Sequence, residues 1–114
     1  MRLADSETVD YLSLEKGSGT IVATLVDDFV GTGEIERLAL LQKKLNRYFD
    51  FIESGEIYQQ LTRSTGSQVS RGSRVRISIV AKQELVGEGQ RFLRHAEEAA
   101  KDANVELAFK VVPA

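Results

Sequence analysis

Residues Glu34 to Leu61, EIERLALLQKKLNRYFDFIESGEIYQQL, form the longest uninterrupted helical signal in the chain, and the rest of the fold is read outward from them. Leu38, Leu41, Leu45, Tyr48 and Ile52 recur at alternating spacings of three and four. At about 100° per residue they fall on one narrow stripe, which Ile35 and Phe49 widen. Glu36, Lys43, Arg47 and Asp50 take the opposite side, so the helix is amphipathic and one face must be covered. A helix from Ile35 to Glu53 is about 28 Å long at about 1.5 Å per residue, enough to cross a small sheet. Ser54-Gly55 supplies the stop, because glycine takes the left-handed conformation at little cost. Glu56 to Leu61 then adds a short further turn carrying Ile57 and Tyr58. Leu40 and Phe51 fall well outside the stripe. They mark either a second contact, with the other helix or another subunit, or exposed side chains without a role.

Upstream, Val9 to Lys16 alternates as a strand, Gly17-Ser18-Gly19 turns, and Thr20 to Val26 is rich in β-branched residues, so the two predict an antiparallel hairpin. Thr32 or Gly33 is the expected N-cap of the long helix. Downstream, Thr62 to Ser73 is polar and lacks an apolar period, which predicts a mobile loop. Arg74 to Lys82 alternates strictly, with Val75, Ile77, Ile79 and Ala81 on the covered side. Glu88 to Ala103 predicts a second helix with Phe92, Leu93, Ala96, Ala99, Ala100 and Ala103 inward, and Asn104 as its C-cap. Val105 to Val112 predicts a last strand with Val105, Leu107, Phe109 and Val111 inward and Pro113 just beyond it. The expected fold is of the α+β or α/β class. It is a two-layer sandwich of order ββαβαβ, with both helices on one face of a four-stranded mixed sheet and sequential strand order preferred.

Leu25-Val26-Asp27, the run Leu41 to Tyr48 (LQKKLNRY) and the run Phe51 to Tyr58 (FIESGEIY) together resemble a family of short, uncharacterised bacterial proteins. The resemblance is most specific over Leu25 to Tyr58 and looser elsewhere. It implies a small bacterial stand-alone domain and brings no chemistry with it.

At 114 residues, with 42% hydrophobic and 28% charged, the chain is the size of one globular domain that can bury a core without staples. The lack of cysteine excludes disulfides and thiolate chemistry. No apolar run approaches the roughly 20 residues of a membrane helix, and MRLADSETVD lacks the apolar core of a signal peptide, so a cytoplasmic protein is expected. A net charge of -2 leaves polyanion partners neither favoured nor excluded.

No catalytic signature is present, and no catalytic residue, resident metal or cofactor is expected. Asp27 and Asp28 after the second strand, with Lys82 and Glu84 after the third, share the carboxyl rim where open parallel sheets bind ligands. A metal-dependent hydrolase there is one alternative. Gly31-Thr32-Gly33 and Gly87-Glu88-Gly89 fail as phosphate loops, since the neighbouring acids repel phosphate. His95 stands alone, and Ser64, Ser67, Ser70 and Ser73 have no base beside them. Arg63, Arg71, Arg74 and Arg76, with no acid between the first and the last, form a candidate anion site and the basis of a second alternative, weak nucleic-acid binding. That segment has no aromatic platform for single strands, which argues against nucleic acid. The helix-free face of the sheet should present Val22, Val26, Val80, Ala108 and Val112, too apolar for full solvation. The leading expectation is a non-enzymatic, homodimeric protein-binding domain of regulatory or adaptor type, with these five residues as the dimer or partner face.

Overall fold

The computed structural model describes residues 1–112; the expectation for Pro113 lies outside them. Seven elements follow in order: β1 (Tyr11–Leu14), β2 (Ile21–Asp27), α1 (Glu34–Glu53), α2 (Glu56–Thr65), β3 (Val75–Ala81), α3 (Glu88–Asp102) and β4 (Glu106–Val111). The strands form one mixed sheet of order β1-β2-β3-β4, and the class is α+β. β1 pairs antiparallel with β2, whereas β2 with β3 and β3 with β4 are parallel and joined by helical crossovers. Residues 21, 23, 25 and 27 of β2 and 75, 77, 79 and 81 of β3 are buried, and those between are half-buried, as the period of two requires. Their core side chains join Leu41, Leu45, Tyr48, Ile52 and Ala100 from the helices in a single cluster. Each fully buried large apolar side chain contributes about 1.5–3 kcal/mol.

Three helices are present where two were expected. The short turn after Gly55 is a full helix, α2, because Ile57 and Leu61, one turn apart, both bury against the core. It takes in Thr62 to Thr65, which the sequence reading gave to the loop. The loop that remains is tied back at Val69, itself buried, whose N–H donates to the Thr62 hydroxyl at 3.1 Å.

The buried side of α1 is rotated from the apolar stripe. It is centred on Tyr48 and runs from Phe51 to Leu45, taking in Arg37 and Lys44, about 40° round from the expected centre at 100° per residue. Ile35, assigned to the stripe, is 88% exposed, whereas Phe51, placed outside it, is buried. The cause is charge pairing. Arg37 and Lys44 meet carboxylates on the sheet side and donate further hydrogen bonds to carbonyls, which offsets the desolvation cost of burying them and lets the helix turn them inward. On α3 the expected side is the one that packs, except that Ala99 is exposed; Gly89 and Ala100 are buried. At Gly89 a β-carbon would lie 2.8 Å from the Glu34 carboxylate and 3.1 Å from Leu85, so the bare backbone sets how closely the start of α3 approaches the start of α1. β1 and β4 are shorter than expected, and Val111, expected inward, is 36% exposed at the end of its strand.

Candidate functional site

The carboxyl rim of the parallel strands is filled by the protein itself. Asp27, 1% exposed, accepts the Phe29 N–H at Oδ1 (3.2 Å) and the Arg37 Nε–H at Oδ2 (2.8 Å). The Arg37 guanidinium also donates to the carbonyls of Glu84 (2.8 Å) and Gln83 (2.7 Å), so one buried arginine on α1 ties the loop after β3 to the end of β2. Asp28 accepts the N–H groups of Arg2 (2.8 Å) and Leu3 (3.0 Å). Burial raises its carboxyl pKa, but these N–H donors outweigh that and leave it below the ordinary value. Lys82 and Glu84 are exposed, and Glu84 lends only its carbonyl. The expected acidic rim therefore does not converge on a cation, and among the described residues no three His, Cys, Asp or Glu side chains are placed to hold one. Arg37 was missed because it lies ten residues beyond its partner and, though it falls at the edge of the expected stripe beside Tyr48, is charged.

A second buried polar cluster closes the other side of α1. Lys44 Nζ donates to Asp10 Oδ1 (2.8 Å) and to the Arg2 carbonyl (2.6 Å), with both charged side chains essentially dry. The Tyr48 hydroxyl donates to the Thr24 carbonyl (2.5 Å) and accepts the Asp10 N–H (2.8 Å). Burial first, and then the Asp10 charge, push that phenol far above its ordinary range, so it remains a neutral donor. Among the described residues no buried side-chain nitrogen or oxygen lacks a partner. Such a satisfied cluster holds structure and leaves no reactive group poised. His95 is exposed on α3.

The four arginines divide. Arg76 lies on the sheet, flanked by Glu15 (2.9 Å) and Glu106 (3.0 Å), and is spent there. The Ser18 hydroxyl and then Arg76 hold the Glu15 carboxyl below its ordinary value. Arg63 and Arg71 instead line a groove of about 780 Å³ between α2 and residues 68–71. A neighbouring groove of about 610 Å³ shares Arg71 and adds Arg74 and Lys101. The aromatic partner that the local sequence lacks comes from α2: the Arg71 guanidinium carbon stands 5.8 Å from the centre of the Tyr58 ring.

On the sheet face away from the core, register aligns three rows. Ser13, Val22, Arg76 and Glu106 form the first, Tyr11, Thr24, Ser78 and Ala108 the second, and Val26, Val80 and Lys110 the third. Val22, Val26, Val80, Ala108 and Val112 are half-buried, and none belongs to the core cluster or packs against it. Tyr11 is 54% exposed beside them.

Similarity adds a family and no chemistry. The model of a family of unknown function (DUF6572) matches residues 1–113. No curated protein and no solved structure shows significant similarity to the chain. No helix among the described residues is long and apolar enough to cross a membrane.

Proposed function

We propose that this chain, which belongs to the DUF6572 family of unknown function, is a non-enzymatic protein-binding domain of regulatory or adaptor type that works as a homodimer. In this reading the long helices share one face of the sheet, and a second copy of the chain covers the other. One observation carries it: Val22, Val26, Val80 and Ala108 lie on the aligned rows of a sheet face, with Val112 just beyond β4, and none of the five takes part in the core. Burying that face removes apolar area from water at about 25 cal/mol per Å².

Charge placement favours a second copy as the occupant. Glu106 and Lys110 stand one row either side of Ala108 on β4. A two-fold axis lying across the strands through Thr24, Ser78 and Ala108 would set Glu106 of each copy against Lys110 of the other, and Val22 against Val26. The same patch is then self-complementary, as a two-fold interface demands.

Size exclusion with light scattering tests the reading. A dimer is expected, split by Val26→Asp, which stands against Val22 of the other copy, without loss of helix signal by circular dichroism. Lys110→Glu should weaken the dimer, and adding Glu106→Lys should restore it. A monomer at about 0.1 mM, a concentration that populates any contact tighter than about micromolar, would reject the reading.

A further inference from the structure

We infer that the groove between α2 and residues 68–71 binds a small phosphate monoester through Arg63 and Arg71. Gly55, Tyr58, Gln59, Thr62 and Arg63 line it at the three-four spacing of one helix face, opposite the face on which Ile57 and Leu61 enter the core. The far wall is residues 68–71, fixed at its base by the Val69 N–H to Thr62 hydroxyl bond. The volume, about 780 Å³, lies in the range of about 300–1,000 Å³ usual for small-ligand clefts.

The charge of this groove is one-sided. Its lining holds two arginines and no acid, with Gln59, Gln68 and Ser70 as further polar groups. The chain has nine arginines, of which Arg2, Arg37, Arg47, Arg76 and Arg91 are ion-paired among the described residues. Of the other four, Arg63, Arg71 and Arg74 line this groove or its neighbour. In a chain of net charge -2, with acids in excess, that concentration of arginines without an ion pair favours an anion at this groove.

Arg71 is also held in place. Its guanidinium packs against Gly55, where a β-carbon would come 2.8 Å from the guanidinium carbon, and it stands over the Tyr58 ring. Gly55 thus serves the groove as well as the turn, and the arginine fork is oriented before any ligand arrives. A phosphate monoester carries a charge of about -1.5 to -2 near pH 7 and presents three acceptor oxygens, a match for two guanidinium forks. The neighbouring groove, with Arg74 and Lys101, gives room for the organic part or a second charged group; its one acid, Glu106, is engaged by Arg76. A nucleic-acid strand fits less well. It needs a track of cations and several stacking rings, and this groove has two arginines and one ring, already covered by Arg71.

None of the residues lining this groove belongs to the proposed dimer face, so the two proposals fail separately. The test is a titration of the whole protein with adenosine monophosphate, ribose 5-phosphate, inorganic phosphate and a short single-stranded RNA, followed by amide NMR shifts and calorimetry. Saturable binding of a monoester with a Kd of about 1 mM or tighter is expected, with shifts at Gly55, Tyr58, Gln59 and Ser70. Arg63→Ala and Arg71→Ala should each weaken it at least about tenfold, while Lys43→Ala, on the outer face of α1, leaves it unchanged. Tighter binding of the nucleotide than of ribose 5-phosphate would support the inference and name a nucleoside phosphate; equal binding would support recognition of the phosphate group alone. Absence of saturation by every monoester, unchanged affinity in Arg71→Ala, or binding of RNA alone would each overturn it.

Discussion

Lys44 is the side chain whose removal tests the structure most directly. Its ammonium is fully buried, 2.8 Å from an Asp10 carboxylate that is 2% exposed. Lys44→Met keeps most of the aliphatic stem and deletes the charge, which leaves Asp10 dry with only the Val26 N–H at 2.8 Å as a close partner. Breaking one side of a buried pair costs about 3–5 kcal/mol. The Arg2 guanidinium, 3.9 Å from Asp10 and half exposed, returns at most about 1 kcal/mol. The expected loss is therefore about 3 kcal/mol, a large part of the about 5–15 kcal/mol that holds a domain folded. In a urea titration with a slope of about 1.5 kcal/mol/M, the midpoint should fall by about 2 M. Asp10→Leu should cost a similar amount, and the Lys44→Met/Asp10→Leu pair should cost at least about 1 kcal/mol less than the sum. Additive losses, or a loss under about 1 kcal/mol for Lys44→Met, would refute the buried pair.

Arg37→Met should lose about 3–5 kcal/mol by stranding Asp27, and hydrogen exchange should quicken first between Gln83 and Gly87, whose carbonyl ties are cut. Gly55→Ala and Gly66→Ala both place a side chain at positive φ, so both should cost about 1–2 kcal/mol by thermal melting. Only Gly55→Ala displaces Arg71, so only it should weaken phosphate binding in the titration, since the space around Gly66 is open. Asp28, with its folded pKa depressed, contributes stability above the unfolded value of about 3.9 that is lost as pH falls through the folded one. The gap in Tm between the wild type and Asp28→Asn should therefore narrow on acidification from about pH 7 to about pH 3, and a constant gap would contradict the capping role.

Much of the fold was legible in local pattern, because burial alternates with period two in β2 and β3 and the register follows from that period. The helices were legible in extent and less so in orientation. A hydrophobic stripe locates the covered face only while charged residues stay outside, and Arg37 and Lys44 do not. Their partners, Asp27 and Asp10, lie ten and 34 residues away, a separation that no window of helical period spans. The candidate sites divide in the same way. The arginines between Arg63 and Arg76 stood out as a run without acids, but four equivalent cations in sequence become three on two grooves and one locked between Glu15 and Glu106. Tyr58 belonged, on sequence alone, to a different element with no evident link to that run.

The sequence by itself determined the strands of the sheet, the apolar residues available for one core and the absence of thiol chemistry, since these follow from local period and composition. Only the tertiary structure decided which charges are buried and which cations remain free, that α2 is a full helix, and that Gly55, Tyr58 and Arg71 meet. The physical reason is that charge pairing and close backbone approach depend on distances between residues far apart in the chain, and these distances are set only when the layers pack.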